Sequence, residues 1–331
     1  MKIKLKYIIT ALILGIIILA AFSATVGITN ILSILSHANP MYLILAVAIF
    51  FTSYAFASLG TWHLLDKKAK KWFLLKIYVA GYFLNNITPI VGCGGELVKA
   101  EIISKHVKLR RTTVFAAILV QKILHYIPFI YTMFLSATVL ALTNPEGTMP
   151  YVIGGALVLA SIAGVFISLF ISKNPSHIHI VCRALESILG SFEKLELRIR
   201  PNKSFKNTTE TIQKFHKQAH LIFWKRSVLV PQMYVLLSIV AEMTTLYFVI
   251  IALGQTIAVP ALILAYTVAV TIGSVPITPG GLGTYDASLA GMLLMFSIPL
   301  EHAITAALLF RLIQYWMTNV LGIIALARVG K

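Results

Sequence analysis

The chain is short of acidic side chains and of cysteine. Only 11 of its 331 residues are Asp or Glu, against 28 Lys and Arg, and there are two cysteines, Cys93 and Cys182. One cysteine lies in a glycine-rich stretch and the other in a basic one. Two cysteines sharing no motif build neither a disulfide framework nor a metal site. Catalytic signatures are missing as well: no HExxH, GxSxG or Walker A sequence occurs, and the Ser and His residues form no recognisable nucleophile set. The chain is therefore not expected to be an enzyme, and neither cofactor nor metal is expected. Long polar stretches are also lacking, so no separate soluble core can be built.

What fills the sequence is apolar. Hydrophobic residues make up 58% and charged residues 12%, with a mean hydropathy of +0.87. A soluble domain is nearer half apolar and a quarter charged. The composition implies one polytopic membrane domain over residues 1–331. A net charge of +17 would suit nucleic acid, but its distribution excludes that reading. Basic residues cluster between apolar segments, as the positive-inside rule requires, and there they attract anionic lipid headgroups.

Apolar stretches at about 7–27, 41–65, 112–142, 151–172, 228–253 and 303–327 each reach the ~20 residues that a bilayer core demands. The first has the length of a span rather than of a secretory h-region, so an uncleaved helix is expected. Two further stretches, 73–91 and 258–276, run into breaks. Residues 87–96 read ITPIVGCGGE and residues 277–286 read ITPGGLGTYD. Each break is followed by a short helical pattern, at 96–106 and 286–298. With the N-terminus inside, the loops at 66–72, 99–111 and 173–227 carry the basic residues and return to the cytoplasm. All Lys and Arg then lie inside except Lys76, Lys122 and Arg311, which fall within apolar segments. Under this threading 73–106 enters and leaves by the cytoplasmic face, and 258–298 by the opposite one.

The expected fold class is an all-α integral membrane protein with about six full spans. Two oppositely oriented re-entrant helical hairpins complete it, forming an inverted repeat of 41–142 and 228–327. Between the halves, 173–227 is expected to lie as amphipathic helix on the inner membrane surface, with 198–210 equally readable as a solvated linker. Matching residues support the repeat: Pro89 with Pro279 and Glu96 with Asp286 at a displacement of 190, then QKILHY (121–126) with FRLIQY (310–315), which pairs Lys122 with Arg311. Inverted repeats with broken helices are a secondary-transporter architecture, with the substrate site at the breaks.

The candidate site follows from that placement. Broken backbone in a membrane must line a cavity or be shielded by protein, and half-helix N-termini attract anions. Pro89, Gly92, Gly94 and Gly95 in the first break, with Pro279, Gly280, Gly281 and Gly283 in the second, would permit turns and close approach to a ligand. Close helix packing is the alternative use of such glycines. Lys122 and Arg311 lie about 12–15 Å into their spans by helical rise. Cations at such depth face an interior pathway or an ion-pair partner, which could be Glu96, Asp286 or Glu242. Glu96 and Asp286 could equally cap the helices that they begin. Glu242, in mid-span within IVAEMTTLY, is a candidate counter-ion or proton-coupling group. Asn85 and Asn86 can satisfy backbone freed by the first break, and Tyr285 sits beside Asp286 in the second. His125 is expected to pack or hydrogen-bond, and Lys76 to reach the nearby surface.

PIVGCGGELVKAEII (89–103), PGGLGTYDASLAGMLL (279–294) and the Arg of LLFRLIQYWMTNVLGIIAL (308–326) resemble the membrane region of the lysylphosphatidylglycerol synthase family, also called uncharacterised protein family 0104. The resemblance covers nearly the whole chain, although family members often carry Glu where Asp286 stands. It implies movement of an anionic or modified phospholipid between leaflets of the cell membrane. The 331 residues hold no soluble transferase domain, so lipid aminoacylation is not expected. The resulting expectation is a flippase-like transporter with both termini cytoplasmic, a phosphate-bearing lipid as partner and homo-oligomerisation left open. A transporter of a small anionic solute, or a non-transporting lipid-binding partner of a lipid-modifying enzyme, are the alternatives.

Overall fold

Asn39 and Pro40 start the first long helix. The Asn39 side chain accepts a hydrogen bond from the Met41 amide at 3.0 Å, and Pro40 occupies the first turn, where its missing N–H costs nothing. In this computed structural model the described residues are 26–87, 94–143, 228–274 and 279–329, with single helical positions at 13, 17, 20, 24, 155 and 159. They form helices and no strands. In chain order the helices are α1 (Ile28–Ser36), α2 (Pro40–Leu64), α3 (Lys71–Ile87), α4 (Gly94–Val107), α5 (Arg111–Thr143), α6 (Leu229–Ala252) and α7 (Val259–Gly273). A 3-10 turn (Pro279–Gly281), α8 (Thr284–Met295) and α9 (Leu300–Arg311) follow. A π turn (Leu312–Met317) then leads into α10 (Thr318–Val329).

Four helical stretches are long and apolar enough to cross a membrane: Pro40–Leu64, Arg111–Thr143, Leu229–Ala252 and Leu300–Arg328, the last joining α9 to α10. They coincide with four of the stretches that the sequence marks as spans. The other two, 7–27 and 151–172, fall largely outside the described residues, as does the basic segment 173–227. The stretches leading into the breaks are shorter, with 17 residues in α3 and 15 in α7.

Helix packing follows a reciprocal pattern. α2 lies along α6, α3 packs on α4 and α7 packs on α8. Each helix that precedes a break also packs on the closing helix of the other half: α3 on α10, and α7 on α5. The core is one large cluster in which Phe50, Leu124, Ile239, Leu246, Leu264 and Phe310 are all buried, with a smaller cluster at Phe83 and Leu84 under α10.

Apolar burial alone does not hold helices together in lipid, because lipid tails are as apolar as leucine. Close packing and interhelical hydrogen bonds do, the latter at about 0.6–2 kcal/mol each. Such bonds tie the halves together here. The hydroxyls of Tyr54 and Thr318 are 2.7 Å apart, Asn86 donates to Asn319 at 2.9 Å, and Ser136 donates to the Pro260 carbonyl. Gly322 lets α10 approach α3: a Cβ there would collide with Phe83 and come within 3.0 Å of the Val79 carbonyl. Gly322→Val should therefore separate α3 from α10 and cost about 1–3 kcal/mol. The check is the thermal unfolding midpoint of the detergent-purified variant.

Candidate functional site

The second break explains Asp286 and Arg311 together. Gly280, Gly281 and Gly283 have φ of +61°, +67° and +81°, a region in which side-chain-bearing residues are strained. Space is also restricted, since a Cβ on Gly281 would lie 2.6 Å from the Gly273 carbonyl oxygen. The turn that these glycines permit aims two carbonyls inward and opens α8 three residues before Asp286. The fully buried Asp286 carboxylate accepts the Gly283 amide at 2.9 Å, and so caps α8.

The same carboxylate accepts two hydrogen bonds from Arg311 on α9: Nε to Oδ1 at 2.8 Å and Nη2 to Oδ2 at 3.1 Å. Two further guanidinium donors go to the break itself, Nη2 to the Gly281 carbonyl at 2.7 Å and Nη1 to the Gly280 carbonyl at 3.3 Å. Arg311 is 3% exposed and its Cζ lies 4.7 Å from the Tyr285 ring centre and 5.4 Å from that of Tyr315. Cap and ion-pair partner, alternatives in the sequence, are both true of Asp286.

At the first break the cation is a different one. Glu96, buried on α4, pairs with Lys99 one turn along the same helix at 2.6 Å. Lys99 is 4% exposed and stands over the rings of Tyr78 (4.6 Å) and Tyr82 (5.6 Å) on α3. Tyr78 is in turn anchored by hydrogen bonds to Thr61 and Gln121. Lys99 falls in the polar run that the sequence assigns to the cytoplasmic side, and α4 turns its side chain onto the face that holds Glu96, where it is buried. Lys122 is partly buried on α5. Its charge is near enough to act on Lys99 and His125. Asn85 bridges the first break, accepting the Gly95 amide at 2.8 Å and donating to Glu96 at 3.2 Å. Gly95 is required for this approach, because a Cβ would collide with the Gly81 carbonyl. Asn86 does not serve the backbone but reaches Asn319 on α10, joining the first break to the closing helix of the second half.

Glu242 stands apart. It is buried on α6, accepts a hydrogen bond from the Tyr266 hydroxyl and has no ion-pair partner among the described residues, so the counter-ion reading finds no cation. His125 stacks with Phe129, and Lys76 lies over the Trp72 ring. Pro279 opens the 3-10 turn and Gly94 opens α4, whereas Pro89, Gly92 and Cys93 lie outside the described residues. Tyr78, Tyr82, Tyr315, Asn319 and Lys99 were missed by sequence reasoning. The Glu96–Lys99 spacing of one helical turn, and that of Tyr78 and Tyr82, were the available signals. The hydroxyls of Tyr285 and Tyr315, whose rings flank Arg311, and the Asn319 amide nitrogen on α10 are buried without a hydrogen-bond partner among the described residues. No group of three His, Cys, Asp or Glu side chains among the described residues is placed to hold a metal ion.

Long apolar helices meeting around buried, charge-paired breaks define a multi-pass helical membrane protein. The chain belongs to the lysylphosphatidylglycerol synthase transmembrane-region family, whose model matches residues 8–322. It is 24% identical over 336 residues to a UPF0104 membrane protein of Methanothermobacter thermautotrophicus, covering 97% of this chain and 95% of the relative. To a UPF0104 membrane protein of Methanocaldococcus jannaschii it is 25% identical over 341 residues, covering 100% and 97%.

Removing one partner of a buried ion pair strands the other charge, at a cost of about 3–5 kcal/mol. Asp286→Asn and Arg311→Gln should each lower stability by that much, and the double variant by clearly less than the sum. A double-mutant cycle on unfolding in detergent checks this.

Proposed function

We propose that the protein moves a phosphate-bearing lipid headgroup between leaflets while the acyl tails stay in the bilayer. The observation that carries this reading is a buried carboxylate–cation pair, roofed by tyrosine rings, at each of two glycine breaks inside an apolar bundle. Intramembrane ion pairs that line breaks mark a pathway rather than a scaffold. As it stands, four of the five Arg311 donors are taken by Asp286 and the two glycine carbonyls. A headgroup phosphate, which matches the planar guanidinium fork as well as a carboxylate does, would enter by exchange with Asp286. The Tyr285 and Tyr315 hydroxyls and the Asn319 amide supply the further donors. Lys99 plays the corresponding part at the first break, with Lys122 as a third cation nearby.

On this reading α3–α4 and α7–α8 are re-entrant hairpins of the inverted repeats 41–142 and 228–327, and the segment 173–227 lies on the inner surface. The reciprocal packing of α3 on α10 and α7 on α5 supports that assignment. Each hairpin is braced by the opposite half, so movement of one half against the other opens the breaks to alternate faces. The lipid is the partner, the termini are cytoplasmic, the site is the cell membrane, and no chemistry on the lipid is involved.

The test is headgroup translocation of phosphatidylglycerol in proteoliposomes. Asp286→Asn/Arg311→Gln together leave no stranded charge, so the double variant should insert and lose clearly less stability than the two single changes summed, yet move no lipid. Unchanged translocation by the double variant would remove Arg311 from the pathway. Uptake of a soluble phosphate or carboxylate without lipid movement would replace the lipid by a small anion.

A further inference from the structure

Three carboxylates are buried in the described helices, and one of them has no ion-pair partner among the described residues. Glu96 has Lys99 and Asp286 has Arg311. Glu242 is 8% exposed in the middle of α6, and the contact made by its carboxylate is the hydrogen bond that Tyr266 donates to Oε2. Tyr266 is itself 2% exposed.

The surroundings offer phenols, not cations. α6 is packed by α2, α5, α7 and α9. From α2 Tyr54 lies within reach of the Glu242 charge, and from α7 Tyr266. Tyr82 of α3 and Tyr285 of α8 lie further round the same centre. On α2 His63 stacks with Tyr234. α5 carries Lys122 and His125, and α9 carries Glu301, His302 and Arg311, whose charge is held by Asp286. None of these is an ion-pair partner of Glu242. A carboxylate with a single neutral donor in an apolar core is not stable ionised, whereas the neutral acid needs no counter-ion. Oε2 accepts from Tyr266, which leaves Oε1 to carry the proton.

The position connects that proton to the second break. Tyr266 meets the edge of Phe310 at 6.2 Å, Phe310 stacks on Tyr285 at 6.3 Å, and Tyr285 lies beneath Arg311. The Tyr266 bond also ties α6, which runs along α2, to α7, the helix leading into the break. We infer that Glu242 is a proton-binding site and that proton uptake there accompanies entry of the anionic headgroup. The coupling rests on the transporter reading above. With Glu242 neutral, α6 adds no negative charge to that of the Asp286 carboxylate which the headgroup phosphate displaces. When the centre opens to water on the far side, the carboxyl gives its proton to solvent, and the phosphate leaves with it. The proton comes from water on one face and returns to water on the other, so nothing else is consumed.

Two measurements on the full chain separate the proton site from the transport cycle. In nanodiscs, infrared difference spectra across a pH titration should contain the carbonyl band of a protonated carboxyl group, fading as pH rises. The band should vanish in Glu242→Gln and return, shifted, in Glu242→Asp, which controls for misfolding. In phosphatidylglycerol proteoliposomes an imposed proton gradient should speed headgroup movement by the unmodified protein and leave Glu242→Gln without response. Absence of a band that Glu242→Gln removes overturns the site. Lipid movement indifferent to the gradient overturns the coupling. A titrating band without lipid movement under any gradient supports the proton site and instead defeats the transporter reading.

Discussion

A guanidinium in the middle of a bilayer sets the terms for this fold. Arg311 is 3% exposed, deep in a span, where a lone cation would cost several kcal/mol. Two carboxylate oxygens and two backbone carbonyls surround it. Carbonyls of an unbroken helix are committed to their own i+4 amides, so the helix delivering them must be interrupted. The interruption needs glycine at positive φ, and the amides that it frees need an acceptor, which the same Asp286 provides. The break, the cap and the ion pair are thus one solution to a single desolvation problem.

The two halves meet that problem with different parts. At the second break the cation comes from another helix, so the pair bolts α8 to α9. At the first, Lys99 lies on the same helix as its carboxylate, and the link to the rest of the bundle is made by tyrosine rings on α3 and by Asn85. Arginine presents five fixed donors and suits a site with many acceptors, whereas lysine is a compact charge that fits a carboxylate under aromatic faces.

Four of the span-forming stretches, the second glycine break and Arg311 as a buried cation were legible in the sequence, because each is a local property: length, composition, or one charge among apolar neighbours. Partner choice was not. Lys122 matches Arg311 in sequence displacement, yet Glu96 takes Lys99. A count of basic residues after each apolar run treats every Lys alike, and it cannot see which face of a short helix is packed against its neighbours. Tyr315 and Asn319 were invisible for a related reason: they read as ordinary members of an apolar span until the 3-10 turn is packed against Tyr315 and α3 against Asn319. Glu242 was identified from the sequence as isolated from helix ends, but its lack of a cation emerges from the packing.

The π turn after Arg311 has a geometric consequence. In a continuous α-helix Thr318, seven residues on, would stack almost directly over Arg311, about 20° round the axis. The wider turn at Leu312–Met317 absorbs about one extra residue and swings everything beyond it by about 100°. Arg311 thereby points to α8, while Thr318 reaches Tyr54 on α2 and Asn319 reaches Asn86 on α3. A single phase shift lets one span address its own half below the turn and the opposite half above it.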